Sequence, residues 1–282
     1  MSSEVRLRAP NTALNEVQIG RYLRLLDVER QAPSLSALEE IVRAHLVRVP
    51  FENISKLYRW KSGLAGIPRV DDFLDGIERY NFGGTCYANN YHLYLLLNGL
   101  GYDVKLCSAD MHTLDVHMVV MARVEGREYL VDGGYGAPFL SPIPRDLDHN
   151  YAIALGCEHY VVKPQDQNGC SRVELWRDGG LKHGYLAKPV PREIGYFNKV
   201  VADSFRPSAT FLHAVLLVRL WPDRSTVIHN LTRIESRGMA CKRFGIANRE
   251  QLPGVIEEHY GIPAEITREA LESVGEFRGA WD

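Results

Sequence analysis

The sequence predicts an α+β protein whose helices and strands are segregated along the chain, and three observations lead to this fold class. Apolar residues recur with helical spacing through most of the first hundred residues. After Gly101 the period changes from 3.6 towards 2, as expected for strands. From about Lys242 the tail alternates between helical and loop character. Helices followed by strands and then by a mixed segment are typical of α+β proteins with separate layers.

The composition is that of an average globular protein. Of the 282 residues, 45% are hydrophobic and 24% are charged, and 33 basic against 35 acidic residues leave a formal charge of −2. This balance offers no broad attraction for nucleic acid or anionic lipid. No apolar run approaches the roughly 18 residues that span a bilayer, and Met1–Arg6 lack the apolar stretch of a secretory signal. We therefore expect a cytoplasmic protein of about two domains, without nucleic-acid or membrane partners.

Start signals and apolar stripes predict three helices before residue 82. They are Asn15–Asp27, with Asn15 and Gln18 as a capping box; a helix from Ser36, with Ser36 and Glu39 as the same signal, that ends before Pro50; and a short helix Asp71–Tyr80.

A fourth helix follows two glycines. Leu93, Leu96, Leu97 and Leu100 recur at helical spacing in an almost uncharged segment, which predicts a buried helix. We place Cys86 in its first turn, after Gly83-Gly84.

Eight strands are predicted from alternating patterns and turn residues. They are Tyr102–Met111, Asp115–Val124, Arg127–Asp132, Tyr151–Leu155, Tyr160–Val162, Val173–Trp176, Leu212–Trp221 and Ser225–Asn230.

The register of the second and third strands brings a histidine close to an aspartate. If Glu125-Gly126 is a two-residue turn, Val124 pairs with Arg127. His117 and Asp132 are then diagonal neighbours on one face, roughly 7–8 Å apart in the backbone, which side chains can bridge. A three-residue turn would place them on opposite faces.

Cys86 is the candidate nucleophile. A thiol attacks as its thiolate, which the positive end of a helix and a nearby histidine both favour. His117 would be the base and Asp132 the carboxylate that orients it. A buried structural thiol and an ordinary half-buried histidine remain the alternative interpretation.

The other cysteines have no comparable setting, so we interpret them as structural thiols in a reduced protein. They are Cys107, Cys157, Cys170 and Cys241. The cysteines include no C-x-x-C pair, and His112 and His149 would need ligands from separate loops, so we expect no metal site.

Several motifs, in order, resemble the signatures of the arylamine N-acetyltransferase family. They are Val49-Pro-Phe-Glu-Asn53, Gly83-Gly-Thr-Cys86 with Asn90, His117-Met-Val-Val120, Val131-Asp-Gly-Gly-Tyr-Gly-Ala-Pro138, Phe197-Asn198 and Arg206-Pro-Ser-Ala-Thr-Phe211. Each motif is weak alone, but the combined order and spacing are specific.

The resemblance implies three domains and an activity. The domains would be a helical bundle (1–90) that carries the nucleophile, a central β-barrel (91–198) that carries histidine and aspartate, and a C-terminal α/β lid (199–282). It implies a triad arranged as in cysteine proteases, here Cys86, His117 and Asp132. Family members transfer an acetyl group from acetyl-CoA through the cysteine to an arylamine, arylhydroxylamine or hydrazine.

The resemblance also implies binding residues. Tyr135 and Phe51 would line the acceptor pocket, whereas Ser208 and Thr210 would approach the CoA arm.

Two departures from the family pattern concern the wall of the site. The family usually has arginine before the Gly-Gly pair and glutamate two residues after the cysteine, where this sequence has Phe82 and Ala88. Glu52 is therefore expected to lack its usual counter-charge. These changes keep three alternatives open: an amide synthase that uses a longer or carrier-bound acyl thioester, a cysteine hydrolase, and a binding protein without activity.

Overall fold

The computed structural model describes residues 7–279, which form a mixed α/β fold with the predicted order of elements. Met1–Arg6, which bore on the secretory-signal expectation, lie outside the described residues. Between residues 7 and 279, none of the helices has the length and apolar character needed to span a bilayer. The N-terminal helices are α1 (Glu16–Leu26), α2 (Leu35–Arg48), α3 (Ile54–Lys61), α4 (Val70–Tyr80) and α5 (Cys86–Gly99).

The starts of the first two helices test the predicted capping signals. The Asn15 side chain accepts a hydrogen bond from the Gln18 amide at 2.9 Å, and the Gln18 side chain accepts one from the Asn15 amide at 3.1 Å, so this capping box is confirmed. The predicted start of α2 at Ser36 is wrong, because the cap is Ser34, whose Oγ accepts from the Ala37 amide at 3.2 Å. Ser34 has the extended backbone that an N-cap needs, whereas Ser36 already lies within the helix.

An eight-stranded antiparallel sheet follows the helices and curls strongly into a half-barrel. Its order is β5-β4-β3-β2-β9-β8-β7-β6. The outer strands do not pair with each other among the described residues, so the sheet is open where a closed barrel was predicted. The strands are β2 (Asp103–Asp110), β3 (His117–Val124), β4 (Arg127–Val131), β5 (Ile143–Pro144), β6 (Tyr151–Leu155), β7 (Glu158–Val162), β8 (Ser171–Arg177) and β9 (Gly180–Pro191).

Strand β3 is buried on both faces and therefore separates two hydrophobic clusters. Met118 and Val120 face the cluster that contains the leucines of α5. Val119 and Met121 face the interior of the half-barrel. This position fixes the start of β3 between the helices and the curled sheet.

A second antiparallel sheet has the order β1-β10-β11-β12-β13 and packs with the C-terminal helices. The predicted strand Leu212–Trp221 begins only at Leu216, because Thr210–His213 forms a short helix. The remaining elements are β1 (Phe51–Glu52), a 3₁₀ helix (Ile194–Phe197), α6 (Asn198–Asp203), α7 (Thr210–His213), β10 (Leu216–Trp221), β11 (Arg224–His229), β12 (Thr232–Arg237), β13 (Ala240–Gly245), α8 (Leu252–Tyr260) and α9 (Ala264–Leu271).

The three predicted domain boundaries stay a prediction. Helix α5 continues through residue 90, and β1, from the N-terminal part of the chain, pairs with β10 of the second sheet.

Candidate active site

Cys86 is the first residue of α5, as predicted, and its side chain is buried. The preceding glycine pair lets the β1 segment approach the start of this helix. A Cβ on Gly83 would lie 1.9 Å from the Pro50 carbonyl oxygen, which no side chain could tolerate. The first-turn amides of α5 have no partners within a helix, so the thiol lies at the positive end of the helix dipole.

The β3–β4 hairpin has the predicted register. Glu125 and Gly126 have φ of +52° and +81° and form the two-residue turn, and Val124 pairs with Arg127. His117 Nε2 and Asp132 Oδ2 lie 2.8 Å apart, and both side chains are buried. The predicted juxtaposition of this histidine and this aspartate is therefore observed.

The thiol of Cys86 lies beside the same imidazole. Burial lowers the pKa of His117, but the Asp132 charge and hydrogen bond, together with hydrogen bonding and charge from Cys86, outweigh it and raise the pKa to about 10. Burial raises the pKa of Asp132, yet the opposing charge of His117 and its hydrogen bonds leave it lowered. The geometry therefore favours a charged imidazolium between a carboxylate and a sulfur.

Asn90 holds the aspartate in position, and its role was not predicted. Its Nδ2 donates to Asp132 Oδ1 at 2.8 Å, and its Oδ1 accepts from the Gly133 amide at 2.7 Å. Asn90 lies one helical turn after Cys86 on a buried face, and this spacing in an otherwise apolar helix was the signal that could have identified it.

The loop after Asp132 packs directly against the nucleophile helix. A Cβ on Gly134 would lie 2.6 Å from the Cys86 Cα and 2.7 Å from Asn90 Nδ2. A glycine at this position therefore allows the carboxylate and the thiol to be held on opposite sides of one imidazole.

The two predicted acceptor-pocket residues lie close to this cluster. The Tyr135 ring lies 5.8 Å from the His117 ring, between centroids, and its hydroxyl lies 2.7 Å from His183 Nδ1. Phe51 forms an isolated bridge with Gly84, and its ring packs edge-on against Phe211 at 5.7 Å. Both aromatic rings thus flank the segments that carry the cysteine and the histidine.

The two predicted CoA-binding residues lie on the segment that enters α7. Ser208 is exposed, and Thr210 is the first residue of α7. This segment is tied to the Phe-Glu-Asn motif, because Asn53 Nδ2 donates to the Phe211 carbonyl at 3.0 Å. Their contact with CoA stays a prediction.

The buried Glu52 is held by backbone amides. Its carboxylate accepts hydrogen bonds from the Ser55 amide at 2.9 Å and the Gly83 amide at 3.1 Å. Burial raises its pKa, although these hydrogen bonds oppose the shift. Phe82 packs instead against Tyr58 and Tyr80, with ring centroids at 6.0 and 5.2 Å.

A buried lysine lies near the thiol and was also missed. Lys56 Nζ donates to Ser204 Oγ at 2.8 Å and lies 4.1 Å from the centroid of the Phe205 ring. Burial lowers the pKa of Lys56 to about 7, and only the charge of Cys86 raises it. The sequence showed this residue as one charge on a short helix, with no sign that the helix is buried at that position.

Arg59 is a second cation on α3. Two of its guanidinium nitrogens are buried without a hydrogen-bond partner. Residues 7–279 contain no cluster of three or more histidine, cysteine or acidic residues arranged to hold a metal ion.

Comparisons with known proteins identify the family. A family model described as N-acetyltransferase matches residues 34–269. Curated relatives include arylamine N-acetyltransferase of Mycolicibacterium smegmatis, 34% identical over 45% of this chain and 50% of the relative. Arylamine N-acetyltransferase 1 of Homo sapiens is 25% identical over 67% of this chain and 57% of the relative.

The chain belongs to the arylamine N-acetyltransferase family. The alignments cover about two fifths to somewhat more than half of the length of the first curated relatives.

Solved structures share the fold. The arylamine N-acetyltransferase of Mycobacterium abscessus matches with a TM-score of 0.76 at 18% identity, over 92% of this chain and 95% of that one. The Mycobacterium marinum arylamine N-acetyltransferase in complex with CoA also matches with a TM-score of 0.76, at 16% identity, over 91% of this chain and 100% of that one.

Proposed function

We propose that the protein is an acyltransferase that moves an acetyl group from acetyl-CoA, through a thioester on Cys86, to an arylamine, arylhydroxylamine or hydrazine. The observation that carries the proposal is the buried cluster of Cys86, His117 and Asp132, with the imidazole and carboxylate 2.8 Å apart. Family membership and the fold shared with a CoA-bound arylamine N-acetyltransferase support the same reaction.

The first half-reaction loads the cysteine. His117 accepts the thiol proton, and Asp132 stabilises the resulting imidazolium. The Cys86 thiolate attacks the thioester carbonyl of acetyl-CoA, and the developing oxyanion is held by backbone amides at the start of α5. CoA leaves as the thiol after protonation. Because one thioester replaces another, the step is nearly neutral in free energy and can be reversed.

The second half-reaction unloads it. The amine attacks the acyl-cysteine carbonyl, His117 accepts a proton from the nitrogen, and the Cys86 thiolate is released. Tyr135 and Phe51 would present aromatic faces to a flat acceptor, and such contacts contribute about 0.5–1.5 kcal/mol beyond burial. Ser208 and Thr210 would approach the CoA arm.

Intact-mass measurement after incubation with acetyl-CoA alone tests the proposal. We expect one added acetyl group on the native protein and none on Cys86→Ala. Cys107→Ala is the matched control, because it removes a fully buried thiol from β2 and should still be acetylated.

The other outcomes separate the alternatives. Steady CoA release without a stable adduct would indicate a hydrolase. Loading only from longer acyl thioesters would indicate amide-synthase chemistry. If no acyl thioester modifies the protein or is consumed, the binding-protein interpretation replaces the proposal.

A further inference from the structure

Two cysteines that the sequence gave no reason to connect lie side by side at the junction of the two sheets. Cys157 lies in the β6–β7 turn and Cys241 in β13, 84 residues apart in sequence, and their sulfur atoms are 3.1 Å apart. Both side chains are partly exposed. A disulfide requires the sulfurs to close by only about 1 Å from this separation.

The backbone, and not only flexible side chains, brings these thiols together. The Gly156 amide donates a hydrogen bond to the Gly238 carbonyl at 2.7 Å, which joins the β6–β7 turn to the β12–β13 turn. A Cβ on Gly156 would lie 2.2 Å from Ser236 Oγ, so the two turns are in close contact. The loops that carry the cysteines are therefore fixed against each other before any covalent bond forms.

The charges around Cys157 also bear on its reactivity. Burial and the neighbouring Cys241 raise the pKa of the Cys157 thiol, whereas the Arg177 guanidinium opposes this shift. Arg177 is held in place by an ion pair with Glu158, the residue that follows Cys157. The guanidinium therefore stabilises a thiolate at this turn whenever one forms.

We propose that Cys157 and Cys241 are a modification site that forms a reversible disulfide with a small disulfide such as oxidised glutathione as the oxidant. One of the two thiolates attacks a sulfur of oxidised glutathione, forms a mixed disulfide and releases one glutathione thiolate. The second cysteine, as its thiolate, attacks the protein sulfur of the mixed disulfide and releases the second glutathione. Two protein thiols are oxidised, and one glutathione disulfide is reduced to two thiols.

The bond would join the curled sheet to the second sheet beside the aromatic wall of the site. Strand β7 begins one residue after Cys157 and carries Tyr160, whose ring lies 6.3 Å from that of Tyr135. A covalent link at the turn therefore restricts movement of this wall relative to β12 and β13. This inference does not depend on the proposed transferase activity.

Peptide mapping without reduction tests the proposal on the native protein. After incubation with oxidised glutathione, free thiols are blocked and the protein is digested with trypsin. Cleavage after arginine and lysine, but not before Pro164, places Cys157 on the peptide 146–172 and Cys241 on the peptide 238–242. We expect these two peptides to be joined, and dithiothreitol to separate them.

Single variants assign the bond, because peptide 146–172 also contains Cys170. Cys170→Ser is the matched control and should retain the cross-link, whereas Cys157→Ser and Cys241→Ser should abolish it. Cys86 lies on peptide 80–105, so a mixed disulfide there is read separately. Oxidation should also raise the melting temperature of the native protein by several degrees and leave that of Cys157→Ser unchanged.

Three results would overturn the inference. They are a cross-link that survives in Cys157→Ser, glutathione adducts on both cysteines without a cross-link, and two thiols that remain free under conditions in which an added model dithiol is oxidised.

Discussion

Lys56→Met removes a buried ammonium group while keeping a side chain of similar length, so its effect on stability isolates the cost of burying that charge. Burial lowers the pKa of Lys56 from 10.5 to about 7. A shift of this size corresponds to about 5 kcal/mol of preference for the neutral form in the folded protein. The lysine is therefore a destabilising charge at low pH, held by Ser204 and by the Phe205 ring.

The sign of the pH dependence follows from proton binding in the two states. Below pH 7 both states bind the proton, and the full penalty applies. Between pH 7 and pH 10.5 the unfolded chain binds the proton and the folded protein does not, so the stability of the native protein rises by roughly 1.4 kcal/mol per pH unit from this group. Relative to Lys56→Met, the native protein should therefore gain about 2–3 kcal/mol between pH 7 and pH 9.

Urea unfolding of both proteins at pH 6, 7, 8 and 9 measures this difference. Subtraction cancels the titration of other groups that the substitution leaves unchanged. Lys182→Met, at an exposed position on β9, is the matched control for deletion of a lysine from the surface. A difference in unfolding free energy that is the same at pH 6 and pH 9 would refute the assigned burial cost.

Three further substitutions test the site. Asp132→Asn removes the charge that raises the pKa of His117, so alkylation of Cys86 by iodoacetamide at pH 7 should slow by about tenfold or more; an unchanged rate would remove Asp132 from the mechanism. Gly134→Ala brings a methyl group 2.6 Å from the Cys86 Cα and should cost roughly 1–3 kcal/mol in urea unfolding, which an unchanged midpoint would contradict. Tyr135→Leu should raise the KM for an arylamine about three- to tenfold without slowing acetyl loading; equal effects on both steps would place the ring outside the acceptor pocket.

The sequence predicted the site best where local rules determine geometry. The position of Cys86 followed from two glycines and an apolar helical stripe. The approach of His117 and Asp132 followed from the two-residue turn at Glu125-Gly126, because the alternation of side chains in a strand allows only one of two faces. The structure has this turn and this register.

Elements without a regular apolar pattern were not predicted. Strand β9 includes Lys182, Gly184 and Pro189, so neither alternation nor a continuous apolar run identifies it. It becomes a strand because it pairs with both β2 and β8. The same limit applies to Cys157 and Cys241, whose proximity depends on the contact of two turns that lie far apart in sequence.

The departure at Phe82 shows how the sequence located a change in the site but not its consequence. The absence of arginine before the glycine pair predicted a buried Glu52 without a counter-charge. Its carboxylate is held instead by the amides of Ser55 and Gly83, so it supports the same backbone approach without an ion pair. A positive charge near the thiol comes from Lys56 on α3, thirty residues before the nucleophile in the chain. Because that charge is lost near pH 7, whereas an arginine would keep its charge, the reactivity of Cys86 in Lys56→Met should differ from that of the native protein several-fold at pH 6 and converge with it at pH 9. Iodoacetamide rates for the two proteins that differ equally at both pH values would show that Lys56 does not act on the thiol through its charge.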